Sequence, residues 1–265
     1  MGSQSQPNHG LLIGAIVHLL KLIKMDAQEA NEAGSVAVAN KLWKVGTYIC
    51  ILTVASLRGH KGFYLDLAGL RKHINKGRTG VILMATDKHT VLSEEVCRNH
   101  PHVTICLLGK FKGKTGTDHH LITVANETSS GLRPHWWLER LVEVCELEGK
   151  VDGPAFASAD GTLASSTDYG AMFRKYLGII QEETDLIPGN HVVNALYSTF
   201  CTPRKTSTTR IERAGFGNQF VDQMNRWRPQ EKPQGQAAWR QMNAHYTKAD
   251  LLMPTTWMGS YIYIQ

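Results

Sequence analysis

The chain has 265 residues, 42% of them hydrophobic and 20% charged, the proportions of a folded globular protein rather than a disordered one. Lysine and arginine total 29 against 23 acidic residues, for a formal net charge of +6. A basic balance permits a polyanionic partner without requiring one. Five cysteines, at positions 50, 97, 106, 145 and 201, are scattered with no CxxC pair. This spacing excludes a disulfide scaffold and a four-cysteine zinc site, and it fits a reducing compartment.

Residues 1–10 are polar, and a disordered start is expected there. The longest apolar run, Leu11 to Ile23, is about 13 residues and contains His18 and Lys21, which is short for a membrane span. It has neither a basic leader nor a small-residue cleavage site, and Gln6 breaks the myristoylation pattern that follows Gly2. An intracellular protein, nuclear or cytoplasmic, with no membrane partner is expected.

Residues 11–57 read as helices. Leu12, Ile16, Leu19, Leu20 and Ile23 fall near a 3.6-residue period, the Ala-rich stretch Gln28 to Val45 follows, and Gly34 interrupts that stretch and is expected to divide it. Tyr48 to Leu57 is apolar and is expected to be buried, with Gly59 and Gly62 breaking the pattern after it. Residues 79–84 and 102–108 are short runs rich in β-branched residues and have strand length. Lys112-Gly113-Lys114-Thr115-Gly116 is a turn signal and His120 to Val124 a returning strand, so 102–125 reads as a hairpin with a lysine-bearing tip.

Residues 135–149 predict a helix with Trp136, Leu138, Leu141, Val142 and Cys145 on one side and Gly149 at its end. A small-residue loop over 150–167 leads to a helix over 169–181 with Phe173, Leu177 and Ile180 on one face. His191 to Phe200 predicts a further helix. Pro203 suits the first turn of the next one, which runs to about Ala214 and stops at Gly215. Helices over 219–227 and 237–246 complete the reading. The fold class is α+β, mostly α, with a small antiparallel β-sheet.

The positive charge sits in three islands. Residues 58–78 hold six cations against Asp66 alone, 104–116 hold three lysines and no acid, and 198–228 hold six cations against two acids. The rest of the chain is net acidic. One basic surface assembled from distant segments suits a phosphate backbone; three ordinary solvated faces account for the same counts.

Common catalytic motifs are missing: there is no GxxxxGK[ST], HExxH or GxSxG. Gly113-Lys114-Thr115 looks like the end of a phosphate loop, but position 108 is Leu108 and the run sits in a hairpin rather than before a helix. The twelve histidines do not cluster with carboxylates at metal-ligand spacing, and the adjacent His119-His120 would face opposite sides of a strand.

The informative stretch is Arg204-Lys205-Thr206-Ser207-Thr208-Thr209, then Gly215, then Asn225-Arg226-Trp227, then His245-Tyr246. It resembles the catalytic domain of the tyrosine recombinases, the phage-integrase superfamily, in the divergent form found in eukaryotic mobile elements. Arg204 to Gly215 is eleven residues and Arg204 to Trp227 is twenty-three, the family's spacings for its second arginine, glycine and His/Trp position. Ser56-Leu57-Arg58-Gly59, ending a buried helix, is similar to the segment carrying the family's first arginine, and the hairpin with Lys110 and Lys112 to the one carrying its lysine.

The resemblance covers roughly 45–250 and implies a tyrosine-recombinase-like catalytic domain there, with an N-terminal segment over 1–44, disordered and then helical, and a C-terminal tail over 251–265. It leaves about 45 residues ahead of the matched region, so little of a separate DNA-clamping domain is expected. It also implies a role for each site residue. Arg58 and Arg204 would stabilise the charge on a phosphodiester under attack, as two bidentate guanidinium groups can and lysines cannot. Trp227 would donate its indole N–H to a phosphate oxygen. Lys112, with Lys110 as second choice, would protonate the departing 5′-oxygen. Tyr246, rather than Tyr261 or Tyr263, would be the nucleophile of a 3′-phosphotyrosyl intermediate.

Lys110, Lys114, Lys205, Arg210 and Arg226 would contact double-stranded DNA, on which copies of the chain would self-associate. No cofactor or metal is implied. Three departures from the family bear on turnover rather than on fold. Cys201 stands where a histidine precedes the second arginine, Lys61 where an acid follows the first, and Trp227 to Tyr246 is nineteen residues, about ten longer than in bacterial members. Two other readings stand beside the enzyme: a catalytically inactive DNA-binding remnant, and a basic protein-interaction domain.

Overall fold

The structure is a computed structural model that describes residues 10–57, 63–75, 81–84, 103–107, 120–128, 130–158, 160–197 and 200–213. Within them the chain forms α1 (Ile13–Glu32), α2 (Val36–Val54), α3 (Leu67–Asn75), β1 (Val81–Met84), β2 (Val103–Leu107), β3 (His120–Val124), α4 (Pro134–Leu147), α5 (Ser166–Glu183), the single turn α6 (Val193–Leu196) and α7 (Cys201–Arg213). The described residues are mostly helical. The expected helices over 219–227 and 237–246 and the lysine-bearing hairpin tip lie outside them.

α2 is the axis of the fold. From Val45 to Val54 every residue is buried, so a neighbour must cover each side. α1 packs along it through Ala15, Ile16, Leu19, Leu20, Ile23 and Ala27. The expected stripe differs at one end: Leu12 is exposed and holds the extended position ahead of the helix, while Leu11 is buried. α1 stops at Gly34, whose φ of +74° lets Ser35 N–H reach the Ala30 carbonyl at 2.8 Å and close the helix end. α2 then runs unbroken across Lys44 and Val45, so the segment boundary drawn there in the sequence falls inside one helix.

α4 covers another side of α2, with Pro134 opening it and Gly149 closing it. Its buried indole is Trp137 rather than Trp136, which is half-buried. Trp137 lies against Gly46, where an added Cβ would collide with the indole ring and come within 3.2 Å of Ile23 Cγ2. Thr47 Oγ1 bridges the same contact, donating within 2.9 Å of both the Trp43 and Trp137 carbonyls.

Tyr48, one residue further on, gathers four other segments. Its ring stacks on Phe63 at 4.3 Å and meets Phe156, Tyr169 and Phe200 edge-on at 5.0–5.5 Å. The small-residue loop after α4 is held by Lys150, whose ammonium donates to the carbonyls of Pro154 (3.1 Å) and Ala157, and by Lys44, which donates to Ala157 O (3.3 Å) and pairs with Glu148 at 2.5 Å.

The sheet has the order β1-β2-β3. β2 and β3 form the expected antiparallel pair, with Ile105 opposite Ile122. β1 joins β2 in parallel, so the sheet is mixed rather than antiparallel. The eighteen residues between those strands are long enough for the crossover that a parallel pair needs.

Two further elements depart from expectation. α3 lies in what reads in the sequence as a basic segment. Asp66 starts it by accepting the Gly69 N–H at 2.8 Å, a capping signal visible in the sequence. The helix expected over 191–200 is only α6. Val192 and Val193 are β-branched, the window buries no stripe before Tyr197, and Gln181 takes the Pro188 and His191 carbonyls at 2.7 and 2.8 Å.

Gly46→Ala should cost about 1–3 kcal/mol or more of stability, because neither α2 nor the Trp137 ring has room to retreat. Urea unfolding of the single variant measures it; an unchanged midpoint would mean that the two helices are not in contact.

Candidate functional site

α7 carries the sequence motif and would be a poor helix alone. Thr206, Ser207, Thr208 and Thr209 are four consecutive residues of low helix propensity. Each of the first three turns its hydroxyl back onto its own helix: Thr206 Oγ1 donates to Thr202 O (3.0 Å), Ser207 Oγ to Pro203 O (3.2 Å) and Thr208 Oγ1 to Arg204 O (2.9 Å). Tertiary contacts supply the rest of the stability. Ser207 Oγ also donates to the Thr53 carbonyl, so the second turn of α7 is bonded to the last turn of α2. On another side Thr206 Oγ1 accepts the Leu11 N–H at 2.8 Å, and a Cβ on Gly10 would sit 3.3 Å from the backbone at Lys205 and Thr206. The strand of chain entering α1 therefore lies across the motif helix.

At the other partner, α2 ends with Leu57 N–H on the Leu52 carbonyl at 3.2 Å and Ser56 at a φ of +47°. The left-handed region is unusual for a serine, and a conformation of this kind is held only by surroundings that enforce it. Ser56 and Leu57 are fully buried, and Arg58 is next in sequence.

Of the residues named from the sequence, Arg204 closes the first turn of α7 and is only 8% exposed. Lys205 beside it is exposed and Arg210 half-buried. Arg58, Lys110, Lys112, Lys114, Arg226, Trp227 and Tyr246 lie outside the described residues, as does Lys61. Cys201 is exposed and is the first residue of α7. The sequence reading missed the hydroxyls of Thr202, Thr206 and Ser207. Their signal was the run of small β-hydroxy residues, which no solvent-facing helix would choose.

A second polar cluster, at the far end of α4, differs in kind. Cys145 Sγ donates to Ala155 O at 3.2 Å, and burial pushes its thiol pKa up despite Lys150 and Lys44 nearby. Burial likewise lowers the pKa of Lys150. The ammonium groups of Lys44 and Lys150 are engaged by carbonyls and Glu148, so the cluster reads as a clamp on the loop rather than as a reactive centre. Burial also raises the pKa of the Cys50 thiol far above its usual range. Among the described residues no three His, Cys, Asp or Glu side chains are grouped to hold a metal ion, and no helix is long and apolar enough to cross a membrane.

Comparison of the chain with protein-family models, with curated proteins and with solved structures gives no match.

Two expectations follow. Thr206→Val keeps the shape of the side chain but strands the buried Leu11 N–H, and should cost about 1–3 kcal/mol in urea unfolding; a neutral result would mean that the entering strand does not bond to α7. Iodoacetamide at neutral pH should modify Cys201 in the native protein and reach Cys50 and Cys145 only on unfolding, since buried thiols with raised pKa hold almost no thiolate. Peptide mass spectrometry reads the order.

Proposed function

We propose that the protein is a DNA strand-cleaving and rejoining enzyme of the tyrosine-recombinase type. One observation carries the reading. Arg204 is buried on a helix whose next turn is hydrogen-bonded to the end of α2, the element that leads directly into Arg58. The two arginines named from the sequence are 146 positions apart, and the Ser207–Thr53 bond joins the helix that carries Arg204 to the helix that ends four positions before Arg58 in the sequence.

In this reading Arg204 and Arg58 stabilise the non-bridging oxygens of the scissile phosphate, and Trp227 adds its N–H. Tyr246 gives its hydroxyl proton to solvent as Oη attacks phosphorus, the bond from phosphorus to the 5′-oxygen breaks, and the Lys112 ammonium gives that oxygen its proton. The 3′-phosphotyrosyl bond retains the energy for religation by a second 5′-hydroxyl. The three basic islands hold the duplex, with Lys110, Lys114, Lys205, Arg210 and Arg226 on its backbone, and copies of the chain meet on it. No metal or cofactor takes part in this scheme.

A second reading, the DNA-binding remnant without turnover, is favoured by Cys201. This residue opens α7 three positions ahead of Arg204, where the family places a histidine, and a thiol does not act as the same base.

Random duplexes with bridging phosphorothiolates, which trap the cleaved state, should give a denaturant-stable adduct that mass spectrometry maps to Tyr246. Tyr246→Phe should abolish it and leave binding intact, and Arg204→Ala should slow it by about 10²–10³-fold, the scale of one transition-state donor. A shifted native complex without an adduct would select the remnant. Weak binding insensitive to salt would select neither and point to the protein-interaction domain.

A further inference from the structure

Of the three buried hydroxyl residues of α7, Thr202, Thr206 and Ser207, Thr202 alone does not bond to its own helix. Thr206, Ser207 and Thr208 each find a carbonyl four residues back, whereas Thr202 lies in the first turn and has no helical carbonyl behind it. Its side chain is completely buried, and its Oγ1 has no hydrogen-bond partner at all. A hydroxyl buried in that state costs stability, and native proteins retain such groups where something else completes them.

The geometry of a helix directs the answer. Cα–Cβ bonds tilt toward the N-terminus, so a first-turn side chain leans over the end where backbone N–H groups lack intrahelical acceptors and the helix dipole is positive. That end attracts oxyanions. Two residues on is Arg204, itself nine-tenths buried, the residue type best suited to a phosphate. The first turn of α7 itself contains no acid.

We propose that the first turn of α7 is a phosphate-oxyanion site in which Thr202 Oγ1 donates a hydrogen bond to a phosphate oxygen beside the Arg204 guanidinium. The inference rests on the reading of Arg204 as a phosphate ligand and adds to it a donor that the sequence comparison of motifs did not name. Thr202 is here a binding and positioning residue: it holds the phosphate in register with Arg204 and moves no proton.

The test compares Thr202→Val, which keeps the volume and removes the hydroxyl, with Thr202→Ser, which keeps the hydroxyl. In phosphate-free buffer Thr202→Val should melt no lower than the parent, because it loses an unpartnered polar atom. Inorganic phosphate should raise the melting temperature of the parent and of Thr202→Ser, with an apparent affinity about tenfold weaker in Thr202→Val, the scale of one charge-assisted hydrogen bond. Comparing variants at equal phosphate removes the general salting effect of the ion. An equal phosphate response in all three proteins, or none in the parent, would overturn the site, as would a Thr202→Val protein destabilised before phosphate is added.

Duplex binding by fluorescence anisotropy identifies the source of the phosphate. A matching tenfold loss makes it the DNA backbone; an unchanged duplex affinity with a lost phosphate response makes it free phosphate, and separates this site from the DNA reading. Failure of the recombinase chemistry shows elsewhere, as the missing Tyr246 adduct.

Discussion

Burial of α2 on every side is the constraint on which the rest of the structure depends. A helix with no solvent face from Val45 to Val54 must recruit its cover from the whole chain, and Tyr48 shows how this is done. One ring touches Phe63 just after α2, Phe156 in the loop after α4, Tyr169 on α5 and Phe200 just ahead of α7. Segments more than a hundred residues apart are thereby held to one point, and elements adjacent to those rings inherit their positions from it. Gly46 and Thr47 extend the same logic by one turn, the glycine by admitting the Trp137 ring and the threonine by satisfying its carbonyl.

α7 is a consequence of that arrangement. Its hydroxyl run is locally unfavourable as helix, and it becomes stable only against partners that take its hydrogen bonds: the Thr53 carbonyl on one side and the Leu11 N–H on another. The same contacts bury Arg204 and leave Lys205 exposed. In the proposed reading, a guanidinium so held has its geometry set before any ligand arrives. The end of α2 adds a further constrained feature, with Ser56 in a backbone conformation that serine seldom adopts, immediately ahead of the Leu57-Arg58 pair.

Much of the fold was legible because it was periodic or punctuated. The apolar stripe of α1, the break at Gly34, the close of α4 at Gly149, the antiparallel pair over 103–124 and the Phe173, Leu177 and Ile180 face of α5 all follow from spacing and turn chemistry. The misreadings have local causes. α3 was hidden by its own charge, although Asp66 marks its start. The helix expected at 191–200 was promised by composition and denied by β-branched residues and by Gln181 competing for carbonyls. At the candidate site the motif named Arg204 but not Thr202, Thr206 or Ser207, because a hydroxyl's value lies in the partner it meets and no spacing encodes that partner.

The sequence by itself determined most of the helices and strands, the apolar stripes of α1 and α5, where the positive charge collects and which motif spacings are present. These are properties of neighbours along the chain, set by backbone sterics, side-chain period and charge counts. Only the tertiary structure decided that the first strand joins in parallel, that Trp137 and not Trp136 faces Gly46, that the strand entering α1 crosses α7, and that Thr202 is buried without a partner. Each of these depends on which distant groups share a space too small for water, and burial, unlike periodicity, is settled by the whole chain at once.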